Sequence, residues 1–253
     1  MQLCVFVLVI SKMCQLLGLS SNKEVDIQLS LREFRHRGDQ NPHGWGFAFI
    51  QNGNWKLMKK PDSLSSEDIK NEQFQFKSKF VVGHVRWASC GKRTHQNTHP
   101  FHIGQWIFAH NGTVSSIKNN SEFKLTKFLP EGQTDSEYAF CYLLEKIGNE
   151  ENIERIKTIL GEESDKIKKN GNFNFLLSNS KVLFVFGDNS LYFVHRKSPF
   201  QEVTLIDEDY SVNLQEIKAP DEKAIIIATK PFTKEEKWSQ ILGLKVFKDG
   251  EEV

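Results

Sequence analysis

The 253-residue sequence predicts an α+β fold, and three observations carry that prediction. Short apolar runs separated by Asn, Gly, Ser and Asp turns recur along the chain. Two segments have helical rather than strand periodicity. The strand candidates lie in groups on either side of paired helices instead of alternating with them one by one, which argues for layered α+β rather than βαβ units.

Taken in order, the first helix candidate spans 25–36, where Ile27, Leu31 and Phe34 share one face and Gly38 follows as a stop. Residues 46–50 and 55–60 flank Gln51-Asn52-Gly53-Asn54, which has the chemistry of a hairpin turn. Further strands are expected at 80–87 and 105–110. The clearest helix start is Thr134, with Glu137 in capping-box spacing ahead of Phe140, Leu143, Leu144 and Ile147; Asp135 then falls in the first turn. The polar stretch 148–172 holds a helix-like segment at 153–160, and 173–177, 182–186, 191–195 and 224–228 read as buried strands. Without an internal repeat or a long Pro/Gly/Ser linker, one domain is the simplest organisation.

Bulk properties exclude several function classes. A net charge of +1 leaves no basic footprint for nucleic acid. The longest apolar run, 4–10, is far short of the roughly 20 residues that span a bilayer, so no membrane crossing is expected. It lacks a preceding positive residue and a following small-x-small site, which argues against a signal peptide. Cysteines 4, 14, 90 and 141 form no CxxC pair and no metal-ligand spacing, which fits a reducing, cytoplasmic setting with no cofactor.

Five local features have candidate chemistry: Met13-Cys14, the segment from Gly83 through Arg86, Trp87 and Ser89, Asn97-Thr98-His99-Pro100-Phe101, His110-Asn111-Gly112, and Thr134-Asp135-Ser136-Glu137. Singly, each has an ordinary explanation. Asn-Gly after a strand is usually a turn, and an Asp in a first helical turn usually serves the orphan N–H groups. Cys90 and Cys141 read as small buried hydrophobes.

Taken together and in this order, the features resemble the class II glutamine amidotransferases, an N-terminal-nucleophile family. The resemblance is strongest to stand-alone bacterial and fungal members related to γ-glutamyl amidohydrolases. Gly44-Trp45-Gly46 and Ile227-Ala228-Thr229-Lys230-Pro231 extend it over nearly all of 13–253. The resemblance implies a four-layer αββα sandwich. It also implies a small-molecule substrate, glutamine or a γ-glutamyl compound, whose side-chain amide is hydrolysed through a Cys14 thioester. Asn111 and Gly112 would hold the oxyanion, Arg86 the α-carboxylate and Asp135 the α-ammonium. Trp87 and His110 would line the pocket with Ser89, which stands where many relatives carry Thr.

The departure is residues 1–12, a leader that would deprive Cys14 of a free amine. Translation from Met13 with removal of that Met, cleavage of a propeptide, and loss of chemistry are the alternatives, the first being favoured. Any acceptor for ammonia would sit on a partner polypeptide. Two rival functions remain: a catalytically silent glutamine-binding subunit, and a metal hydrolase built on His95, His99 and His102 with His84 and His110, although no HExxH completes such a set.

Overall fold

The structure is a computed structural model that describes residues 13–253. In chain order its elements are β1 (Gln15–Asp26), α1 (Gln28–Phe34), α2 (Arg37–Gln40), β2 (Trp45–Gln51), β3 (Asn54–Lys60), β4 (Lys77–Val85), β5 (Phe101–Ile103) and β6 (Trp106–Thr113). Then follow α3 (Asp135–Ile147), α4 (Ile153–Ile167), β7 (Asn172–Ser178), β8 (Leu183–Gly187), β9 (Tyr192–Lys197), β10 (Glu202–Thr204), β11 (Ser211–Asn213), α5 (Leu214–Ile217) and β12 (Lys223–Ala228). The chain ends in β13 (Ser239–Gln240), β14 (Gly243–Lys248) and β15 (Glu251–Glu252).

Two large antiparallel sheets result, one ordered β13-β9-β12-β1-β4-β2-β3 and the other β15-β14-β8-β7-β6-β5, while β10 and β11 pair as a separate two-stranded ribbon. Strand side chains alternate between faces, so each sheet can bury both. On β1 and β12, Leu16, Ile225 and Ile227 pack between the sheets with Ile107, Leu176 and Val185. Their neighbours Leu17, Leu19 and Ile226 face outward onto Leu31 and Phe34 of α1. Beyond the second sheet, Phe140 and Leu143 of α3 and Ile156 and Leu160 of α4 cover Phe173 and Phe175. Three apolar interfaces thus hold four layers, the αββα sandwich.

The hairpin forms as its sequence predicts, through Asn52 (φ 52°) and Gly53 (φ 75°), both in the left-handed conformation a two-residue I′ turn requires. At α3, Thr134 Oγ1 accepts from Glu137 N at 3.1 Å. The reciprocal half of the capping box is absent, because the Glu137 carboxylate instead accepts from Glu131 N and Gly132 N.

Three expectations need correction. Val25 and Asp26 belong to β1, where they pair with Ser78 and Lys77, so α1 starts later than 25. Gly38 does not stop the helical region. It lies within α2, where a Cβ would come 2.6 Å from Ser65 N. The third concerns the long β1, central in its sheet, which the apolar periodicity of the sequence does not predict.

Candidate active site

Cys14 immediately precedes β1, and the pairing of Gln15 with Val85 sets it beside the chain leaving β4. There its sulfur meets the Trp87 backbone twice, accepting from the N–H at 3.3 Å and donating to the carbonyl at 3.3 Å. Burial pushes the thiol up to about 11, against the smaller opposing effects of the Trp87 backbone and the Arg86 charge. At neutral pH this thiol is protonated, and it needs a base to become a nucleophile.

Arg86 is 2 % exposed. Its Nη2 donates to Cys90 O at 2.7 Å and Gly91 O at 3.3 Å, and Nη1 to Lys92 O at 3.3 Å. Among the described residues no carboxylate forms an ion pair with it, which is unusual for a cation so deep in a protein. Asp135 is equally buried. Its Oδ2 accepts from Val114 N at 2.6 Å, and Oδ1 accepts from Ser136 N at 3.1 Å and from the Cys90 thiol at 3.2 Å. No described cation forms an ion pair with it.

The end of β6 supplies the amides. Asn111 is buried; its Nδ2 reaches only Ser190 Oγ at 3.4 Å, and its Oδ1 has no hydrogen-bond partner among the described residues. Gly112 follows with φ 150°, and a Cβ there would lie 1.9 Å from Asn172 O. Only glycine lets the backbone come this close.

Two connected spaces meet at Cys14. The outer cleft, about 200 Å³, is lined by Met13, Cys14, Trp87, Ser89, Asn111, Gly112, Thr113 and Asn172. The inner chamber, about 20 Å³, shares Cys14, Trp87, Ser89 and Gly112 and adds Arg86, Cys90, His99, His110 and Asp135 among its walls. The structure therefore brings Cys14, Arg86, Trp87, Ser89, His110, Asn111, Gly112 and Asp135 to these two spaces, whereas His95 and His102 line a separate cleft with Phe101.

His110 is a wall with little hydrogen-bonding capacity left, its ring nitrogens meeting Ser136 Oγ at 2.8 Å and Asn172 O at 3.2 Å. Burial pushes it down, and it stays neutral. His99 stacks on His84 with ring centroids 4.1 Å apart, and burial depresses both. No three His, Cys, Asp or Glu side chains among the described residues gather in a metal-holding group.

Two contributors escaped sequence reading. His43 Nδ1 accepts from Ala88 N at 3.0 Å while its ring lies 4.4 Å from that of Trp87, bracing the segment beside the thiol. Cys90, expected to be a buried hydrophobe, faces the chamber and contacts Asp135; only its closeness in sequence to Arg86 could have signalled this. Cys141 is buried within α3 as expected.

A four-layer sandwich with a cysteine at the entrance to a central strand defines the architecture of an N-terminal-nucleophile hydrolase. The family model for class-II glutamine amidotransferases matches residues 13–253, and the chain belongs to that family. It is 39% identical over 256 aligned positions to an uncharacterized protein of Methanocaldococcus jannaschii, covering 94% of this chain and 70% of the relative. It is 32% identical to YafJ of Escherichia coli, covering 91% of this chain and 94% of YafJ. A crystal structure of a predicted glutamine amidotransferase from Pseudomonas aeruginosa superposes with a TM-score of 0.70 at 31% identity, covering 95% of this chain and 99% of the other.

Proposed function

We propose that the protein hydrolyses the side-chain amide of glutamine or of a γ-glutamyl compound through a Cys14 thioester. One observation carries this reading: a buried cation, Arg86, and a buried anion, Asp135, line a single chamber at the thiol, and neither forms an ion pair with a described residue. A free α-amino acid brings the complementary pair of charges, a carboxylate for the planar guanidinium and an ammonium for the carboxylate.

The chemistry follows from the thiol's environment. With its ionisation near 11, Cys14 requires a base, and a free α-amine on the same residue, with a pKa near 8, can take the proton directly or through water. The thiolate then attacks the amide carbon, and the carbonyl oxygen takes the negative charge. The Asn111 side-chain amide and the Gly112 N–H are the donors for that oxyanion. Collapse breaks the C–N bond, and the nitrogen leaves as ammonia or an amine carrying the proton held by the Cys14 amine. Water then attacks the thioester, returning the thiol and releasing glutamate. This sequence requires residue 14 to be the first residue, with the segment 1–12, which lies outside the described residues, and Met13 both removed.

The test is glutamate release from L-glutamine and from γ-glutamyl peptides, using protein whose sequenced N-terminus is Cys14. Cys14→Ala should abolish release. Turnover that survives this substitution would exclude the thioester, and binding without turnover in the unsubstituted protein would favour a silent glutamine-binding subunit.

A further inference from the structure

From the contacts of the segment 90–92 we infer that Cys90 is an internal placeholder for the substrate's head group, and that its displacement selects ligands carrying both an α-carboxylate and an α-ammonium. The inference rests on the function proposed above. Residue 90 presents one acceptor and one donor to the same pair of charged groups. Its carbonyl accepts from Arg86 Nη2 at 2.7 Å, as a carboxylate oxygen would. Its thiol donates to Asp135 Oδ1 at 3.2 Å, as an ammonium would. Burial pushes the thiol up, so it remains a donor at neutral pH.

The dimensions support the same conclusion. An inner chamber of about 20 Å³ holds about one water and is too small for an amino-acid head group. Its wall includes His99, 3 % exposed, whose two ring nitrogens have no hydrogen-bond partner among the described residues. Polar groups left in this state suit a chamber that takes a polar ligand after widening. A head group can enter only as the Cys90 carbonyl and thiol leave Arg86 and Asp135. A ligand with one charge replaces one of these contacts and strands the other buried group, whereas the zwitterion replaces both.

The primary experiment measures iodoacetamide labelling of Cys90 by peptide mass spectrometry, in Cys14→Ala protein that begins at residue 14. Saturating L-glutamate should accelerate labelling several-fold, while glutarate, which lacks the ammonium, should leave the rate near that of free protein. If calorimetry shows L-glutamate bound and labelling is unchanged or slowed, the placeholder is wrong and the proposed function stands. If neither L-glutamate nor L-glutamine binds, both readings fall.

Kinetics supply a second, sign-dependent readout. Cys90→Ala removes the thiol contact, so it should lower KM for glutamine about threefold and narrow the preference for glutamine over its des-amino analogue. Cys90→Ser keeps a donor and should restore both toward the unsubstituted values. A raised KM in Cys90→Ala would instead make Cys90 a support for the bound state and overturn the inference.

Discussion

Arg86, just past β4, and Arg196, on β9, are both buried guanidinium groups attached to the same sheet, and their surroundings are opposite. Arg196, on β9, is gripped by Glu236, with Nε and Nη2 donating to the two carboxylate oxygens at 2.8 and 2.7 Å. Burial would raise the Glu236 carboxyl, but the Arg196 charge and hydrogen bonds hold it below its ordinary value. Among the described residues, the Arg86 guanidinium has only backbone carbonyls from the segment 90–92 as partners. A compensated buried cation is a structural tie between β9 and the chain after β12. A buried cation that faces a cavity and has no ion-pair partner among the described residues is, under the proposed function, the group that meets the substrate's carboxylate.

The largest expected effect is on the structural side of this contrast. Arg196→Met strands Glu236, and breaking such a buried pair costs about 3–5 kcal/mol. Urea unfolding should show that loss, while glutamate release per folded molecule stays unchanged. A loss below about 1 kcal/mol would erase the distinction between the two arginines.

Next in size is Asn111→Ala, expected to lower kcat about 100- to 1,000-fold, as removal of one oxyanion donor typically does. Because Asn111 Nδ2 holds only a 3.4 Å contact, the accompanying stability loss should be small. A kcat within threefold of the unsubstituted enzyme would remove Asn111 from the oxyanion site.

Arg86→Lys is expected to raise KM about tenfold or more, because a point charge replaces a planar fork. It leaves no acid stranded, so folding free energy should change far less than in Arg196→Met. Equal destabilisation by the two substitutions would assign Arg86 to structure.

The smallest effect is a slope with pH. In the chain that retains residues 1–12, the Cys14 thiol is raised to about 11, and the reactive thiolate is its deprotonated form. Alkylation of Cys14 should therefore climb about tenfold per pH unit from neutrality toward that value. A plateau near pH 8 in this chain would mean that another base already serves the thiol.

What the sequence reveals depends on whether local or long-range contacts decide a feature. The hairpin at Asn52-Gly53 and the cap at Thr134 are local, and both are legible. β1 is not, because Gly18, Ser20 and Ser21 interrupt its apolar pattern. Its small residues answer to packing: a Cβ on Gly18 would sit 3.2 Å from Ile227 and Leu176, the latter on the facing sheet. At the candidate site, residue types and order single out Cys14, Arg86, Asn111, Gly112 and Asp135 as candidates. Their shared chamber, the carbonyl contacts of Arg86 and the turn of Cys90 toward Asp135 arise from tertiary placement alone.

The contact beneath Gly112 decides which substitutions can probe the proposed oxyanion site. With Asn172 O only 1.9 Å from where a Cβ would stand, any replacement at 112 must push β7 away from β6, and Asn172 also accepts from His110. In a saturation library this position should reject every side chain, alanine included, whether or not the variant is asked to turn over substrate. Loss of activity there reports sheet separation rather than a missing hydrogen bond. The informative perturbation is an atomic one at the backbone, an ester in place of the 112 amide, which deletes the N–H and leaves the space empty.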